Sequence, residues 1–164
     1  MRIGKIVVYT DGSCIGNPGK GGYAGLIILG NSKYVVSGSN PSTTNNCMEL
    51  ISVIESINYI KTLNVVILDP IEIYTDSTYV MQGAMTWMKR WKINNWRTSD
   101  KKDVANKDIW LRLSDLQDSY NLMFYWVKGH SDNEHNNLVD RIARNSAERQ
   151  LNAYSGPYLY NRYI

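Results

Sequence analysis

The 164-residue chain predicts an α/β fold: a mixed five-stranded sheet, first three strands antiparallel, strands four and five parallel to strand one, flanked by helices. Three observations predict it. Three β-rich runs near the start are joined by short connections, which suits an antiparallel meander. The apolar spacing then changes to three- and four-residue steps, the period of an amphipathic helix. Each later strand is separated from its predecessor by helix, and such crossovers make neighbouring strands parallel. The length fits a single domain with a core of its own. We place that domain at residues 1–152, with a basic protrusion at about 85–107 and a C-terminal tail at 153–164.

Strand one is read over Ile3–Thr10, followed by a glycine-rich loop through Gly12, Gly16, Pro18, Gly19, Gly21 and Gly22. Strand two spans Tyr23–Leu29, Gly30-Asn31 signals a hairpin turn, and strand three spans Lys33–Ser39. The stretch Ser42-Thr43-Thr44-Asn45-Asn46 is rich in helix N-caps. Behind it, Cys47, Leu50, Ile51, Ile54, Ile57 and Ile60 make a helical stripe, with Glu49 in the first turn and off the stripe's centre. Pro70 interrupts the next apolar run, so Asn64–Asp69 is an extended lead-in and strand four is Ile71–Thr75. A short helix starts at Ser77, Met85–Lys92 is helical, Asn94-Asn95 is a turn, and another helix begins at about Asn106. Strand five is Asn121–Lys128, and the last helix is Asp132–Gln150. The tail from Ala153 shows no periodicity, so loose packing is expected there.

Composition narrows the chemistry. No run of about 18 apolar residues is present, which excludes a membrane-spanning helix. Met1–Lys5 leads into the first strand without a signal-peptide core, so a cytoplasmic location is expected. Two cysteines, Cys14 and Cys47, argue against a disulfide scaffold, and two histidines complete no closed nitrogen–sulfur zinc set. Any metal here is oxygen-bound. The net charge of +3 is unevenly spread: Met85–Lys107 carries +5, leaving −2 for everything else. Trp87, Trp91 and Trp96 are interleaved with Lys89, Arg90 and Lys92 in that segment. Aromatics among bases suit a polyanion surface, and some of these rings are expected to pack the protrusion onto itself.

Four carboxylates occupy telling places. Asp11 interrupts strand one, Asp76 ends strand four, Glu49 starts the intervening helix and Asp140 lies near the start of the last. Each has an ordinary explanation alone: turn chemistry for Asp11, the helix dipole for Glu49, capping for Asp76, and pairing with Arg141 or Arg144 for Asp140. Together they fall where open α/β sheets place their sites. An acidic cluster repels itself unless hard cations balance it, and carboxylate oxygens suit Mg2+, with Mn2+ as a possible substitute. An acidic two-metal site beside a basic arm implies phosphodiester chemistry.

From Ile6 to about Gln150 the chain resembles type 1 ribonuclease H. The resemblance rests on Thr10-Asp11-Gly12-Ser13 with Gly16-Asn17-Pro18-Gly19, Thr44-Asn45-Asn46-Cys47-Met48-Glu49-Leu50, Thr75-Asp76-Ser77, Trp126-Val127-Lys128-Gly129-His130 and Asp140. It implies a ribonuclease H-like fold and a monomer cutting the RNA strand of an RNA–DNA hybrid, leaving 5′-phosphate and 3′-hydroxyl ends. Two Mg2+ ions would be held by Asp11, Glu49, Asp76 and Asp140, with Asp11 bridging, and His130 would assist proton transfer or product departure. Substrate contacts would come from Asn17, Asn45, Asn46 and Asn136, from Thr44 and Asn106 at a phosphate pocket, and from Trp87, Lys89, Arg90, Trp91, Lys92 and Trp96. Ser42, Cys47, Thr78 and Asn137 depart from residues frequent in the family. No separate N-terminal hybrid-binding module precedes the matched stretch, so low processivity is expected. The rivals are a catalytically weak hybrid-binding domain and another nuclease or strand-transfer enzyme of the same fold.

Overall fold

The computed structural model describes residues 2–163; Met1 and Ile164, the last residue of the expected tail, lie outside the described residues. Strand β1 is Arg2–Ile3, β2 Ile6–Ile15, β3 Gly19–Leu29 and β4 Ser32–Thr43. Helix α1 covers Asn45–Thr62, β5 Val66–Ile67 and β6 Ile71–Thr75. Helix α2 (Thr78–Gln82) runs through a π turn at Gly83–Trp87 into α3 (Met88–Ile93). Helix α4 is Lys107–Ser119, β7 Leu122–Trp126, α5 Glu134–Arg149 and β8 Tyr154–Pro157.

The main sheet has the order β7-β6-β2-β3-β4-β8. β2 pairs antiparallel with β3, and β3 with β4, while β2, β6 and β7 run parallel. The predicted mixed sheet is therefore present, with one strand more than expected. Three details differ from the sequence reading. The first run breaks at Gly4-Lys5, and its leading piece pairs instead with Val66–Ile67 in a separate two-stranded ribbon. The expected loop after Asp11 is strand: pairing continues from Asp11↔Ala24 out to Ile15↔Lys20, leaving only a tight turn at Gly16-Asn17-Pro18. The tail, expected to be loose, adds β8 along the outer edge of β4, with Tyr34 facing Pro157 and Ser37 facing Tyr154.

Helix α1 packs on β2 and β3 from one side, and α5 packs on β2, β3 and β4 from the other. The α1 side buries Leu50, Val53, Ile54, Ile57 and Ile60 against Ile6, Val8, Ile27, Ile71 and Ile73. Val139, Ile142 and Ala143 of α5 meet Ala24, Leu26 and Val35 in a smaller cluster that Tyr163 completes. Side-chain caps set the helix starts. Thr44 Oγ1 accepts from Cys47 N–H, Ser77 Oγ from Val80 N–H and Asn133 Oδ1 from Asn136 N–H. The π turn begins at Gly83, where a Cβ would run into the Trp110 ring, so the ring needs the glycine.

Tyr163 is 3% exposed, and its hydroxyl sits 3.3 Å from Ser37 Oγ. It anchors the segment that shields the β4 edge, which would otherwise present unpaired backbone groups. Tyr163→Ala is expected to destabilise the protein by about 3 kcal/mol, the range for deleting a buried aromatic. Urea unfolding tests this; an unchanged midpoint would show that the tail only rests on the surface.

Candidate active site

Asp11 does not lie in a turn. It is inside a paired strand and 3% exposed, so its carboxylate sits over the sheet rather than in a loop. Next to it, a Cβ on Gly12 would lie 2.4 Å from the Glu49 backbone nitrogen. The missing side chain lets the start of α1 press onto β2, and brings the Gly12 N–H near enough to favour the ionised Glu49 carboxylate. Glu49 lies beyond the first helical turn, on the buried face and 8% exposed, which differs from its expected position. Thr44 caps the helix and Asn45 begins it, so a full turn precedes Glu49. Asp76 closes β6 beside the cap of α2, and Trp126 Nε1 donates to its backbone oxygen at 3.2 Å.

Asp11, Glu49 and Asp76 offer carboxylate oxygens that all lie within 4.8 Å of one another. Asp140 approaches Asp11 closely enough to raise its pKa, but Asp140 Oδ2 is held by Arg144 at 2.8 Å. Three acids thus form the tight cluster, and the fourth flanks it with a cation already engaged.

Burial, and then the Glu49 charge, push the Asp11 carboxyl far above the usual carboxylate range. Glu49 is raised to about 8, first by burial and then by the Asp76 charge, against a lowering contact from Asp11. Asp76 is raised by burial and by Asp140, while Asn136 and His130 favour its ionised form. Glu49 Oε2 is buried without a hydrogen-bond partner. A buried carboxylate oxygen left unpaired among two other acids is costly. An all-oxygen donor set with this deficit of positive charge fits a hard divalent cation.

The other predicted residues divide. Asn17 Oδ1 accepts from Asn45 N–H at 3.1 Å, joining the β2–β3 turn to the start of α1, and Asn46 is exposed beside them. His130 is exposed, in a left-handed backbone conformation on the loop after β7. Asn136, expected to contact substrate, is 1% exposed and lies close enough to Asp76 to favour its ionised form. Lys89, Arg90 and Lys92 are exposed on α3, and Trp87, Trp91 and Trp96 are half-buried. Their ring centroids stand 5.8 and 5.9 Å apart along the series, with Trp91 edge-on to Trp110 at 5.3 Å. The tryptophans therefore do pack the protrusion, and they leave a groove of about 350 Å³ lined by Tyr79, Trp87, Trp91 and Ala105.

Sequence reading missed Tyr79. Its hydroxyl accepts from Asn106 Nδ2 and from Trp110 Nε1, each at 3.0 Å, and the Cys47 thiol donates to Asn106 Oδ1 at 3.2 Å. The available signal was its place three residues after Asp76, on the helix that leads from the acids to the basic arm.

The RNase H family model matches residues 4–148. The chain belongs to the RNase H family. It is therefore a nuclease by family. Ribonuclease H of Ehrlichia ruminantium (strain Gardel) is 43% identical over 143 residues, covering 87% of this chain and 94% of that protein. Ribonuclease H of Chlorobium phaeobacteroides (strain DSM 266) is 45% identical, covering 85% and 93%. The fold is similar to the crystal structure of LC9-RNase H1, a type 1 RNase H with the type 2 active-site motif. That match has a TM-score of 0.85 and 24% identity, over 99% of this chain and 81% of that one. LC11-RNase H1, solved in complex with an RNA/DNA hybrid, matches with a TM-score of 0.69 and 21% identity, over 88% and 98%. Among the described residues no helix is long and apolar enough to cross a membrane.

Proposed function

We propose that this chain is an endonuclease that hydrolyses the RNA strand of RNA–DNA hybrids, leaving 5′-phosphate and 3′-hydroxyl ends. The observation that carries the reading is the triad of Asp11, Glu49 and Asp76 within 4.8 Å, with a buried, unpartnered Glu49 oxygen. Asp11, Glu49 and Asp76 would hold one Mg2+ or Mn2+, and Asp11 with Asp140 a second. Bound there, the cations supply charge neutralisation, an activated water and stabilisation of the leaving oxygen.

The chain's own groups do the rest. Asn17 and Asn45, joined by a hydrogen bond, and the exposed Asn46 would meet a minor groove, where 2′-hydroxyls mark RNA. Thr44 and Asn106 would receive a phosphate of the DNA strand. The groove of Tyr79, Trp87 and Trp91, together with the exposed Lys89, Arg90 and Lys92 of the same arm, would receive that strand's sugars and phosphates. His130, exposed and near enough to Asp76 to favour its ionised form, would move a proton as products leave. The RNase H family model and the relatives named Ribonuclease H support this reading.

The test is cleavage of a labelled hybrid in Mg2+ with an EDTA control. The RNA strand of the hybrid is expected to be cut, and single-stranded RNA and double-stranded DNA to survive. Equal cutting of either alternative would overturn the substrate assignment, and cutting in EDTA would overturn the metal.

A further inference from the structure

One charged surface belongs to neither the acid cluster nor the basic arm. The outer side of α5 presents Arg141, Arg144, Asn145, Glu148 and Arg149, and these enclose with Tyr163 a concavity of about 310 Å³. Residues three and four apart share a helix face, so this grouping follows from the sequence spacing. Only Glu148 offsets the three guanidiniums within the pocket. Arg144 is held by Asp140, whereas Arg141 and Arg149 have no ion-pair partner among the described residues. Arg149 gains from the helix C-terminus, but Arg141 lies mid-helix and gains nothing there. Like charges gathered on one helix face repel, and an anion relieves that repulsion.

The position of the pocket selects the anion. The basic arm lies with α1 and α4 on one face of the sheet, and α5 covers the other. The acids sit between the two basic surfaces. From Asp140 the helix carries its arginines away from the acids for about 13 Å, at 1.5 Å per residue. Arg144 both lines the pocket and bonds Asp140, so the pocket adjoins the acids, with Arg141 beside it and Arg149 farthest along the helix. The volume is at the small end of ligand-holding clefts, which suits a nucleotide rather than a duplex. Guanidinium forks suit phosphate oxygens.

We propose that the α5 pocket is a second phosphodiester site, holding the cut strand where it continues as single-stranded RNA beyond the hybrid. This rests on the reading of the acids as a hybrid nuclease. The strand assignment follows from the Asp140–Arg144 bond, since the strand at the acids is the one that reaches the pocket.

Binding is measured in an Asp11→Asn background with a short blunt hybrid and with the same hybrid carrying a single-stranded extension at the 5′ end of its RNA strand, at the 3′ end of its RNA strand, or on its DNA strand. One of the two RNA extensions is expected to tighten binding about 10-fold. Arg141→Ala with Arg149→Ala should erase that gain and leave blunt-hybrid affinity unchanged. The slope of log affinity against log salt for the extended hybrid should flatten by about 1.4, for two single-strand phosphate contacts. Lysine at both positions should restore most of the slope. The proposal is overturned if neither RNA extension tightens binding, if the DNA extension does so equally, or if the alanines weaken blunt and extended hybrids alike. Failure to bind any hybrid with the pocket intact would instead overturn the proposed function.

Discussion

Asp11→Asn is expected to reduce hybrid cleavage by about 10³-fold or more, with hybrid binding retained. Asparagine has nearly the shape of aspartate, so the strand, the Gly12 contact with α1 and the basic arm should all persist. What disappears is an ionisable, cation-binding oxygen at a carboxylate that interacts with Glu49, Asp76 and Asp140 together. Cation chemistry of this kind supplies several kcal/mol, and each 1.36 kcal/mol is tenfold in rate. Single-turnover kinetics at saturating enzyme separates the chemical step from binding. A variant that keeps activity within about tenfold of the parent would remove Asp11 from the centre of the site.

Without divalent cations, the protein is expected to lose stability as pH rises from about 4 to 8, and Asp11→Asn should suppress part of that loss. In the unfolded chain these carboxyls ionise near pH 4. In the folded protein burial and mutual repulsion keep Glu49 protonated up to about 8, and Asp11 higher still. The folded state therefore binds more protons across this window, and unfolding free energy falls with pH. A raised pKa contributes stability that is complete below the unfolded value and is lost on approaching the folded one. The slope is up to about 1.4 kcal/mol per pH unit for each proton retained. Other groups titrate too, so the informative quantity is the difference between Asp11→Asn and its parent. That difference should favour the variant and grow with pH in EDTA. Saturating Mg2+ should reverse it, because only the parent keeps a full set of ligands. A difference independent of pH would show that Asp11 ionises as readily in the folded protein as in the unfolded chain.

Much of this was legible beforehand because the periodic elements carry the acids. Strand β6 ends at Thr75 as expected, and the helix after it starts at its serine cap, so Asp76 could be placed from local signals alone. Other features depend on partners distant in sequence. Glycines around Asp11 read as a loop, yet Gly12 is the strand residue that admits α1 and Gly21 lies in β3 against Met48. Glycine signals both turns and close approaches, and only the packed helix distinguishes them. The final strand was hidden for a similar reason. Tyr154-Ser155-Gly156-Pro157 has no alternating pattern of its own and becomes a strand because the free edge of β4 supplies its pairing. Asp140 was placed correctly on its helix, but its bond to Arg144 rather than Arg141 needed coordinates.

The Tyr79 hydroxyl has a further consequence. An oxygen of this type has two lone pairs and one hydrogen. Asn106 and Trp110 both donate to it, so both lone pairs are spoken for and the hydrogen is the part left over. Toward the groove between Trp87 and Trp91, Tyr79 can only give. The same count orients Asn106: its oxygen takes the Cys47 thiol hydrogen and one amide hydrogen goes to Tyr79, which leaves the second amide hydrogen and one lone pair. Two neighbouring groups that could each have faced either way are thus turned by the residues behind them into a pair of donors. A visitor bringing lone pairs finds hydrogens waiting, and one bringing only hydrogens finds no more than a single lone pair on Asn106.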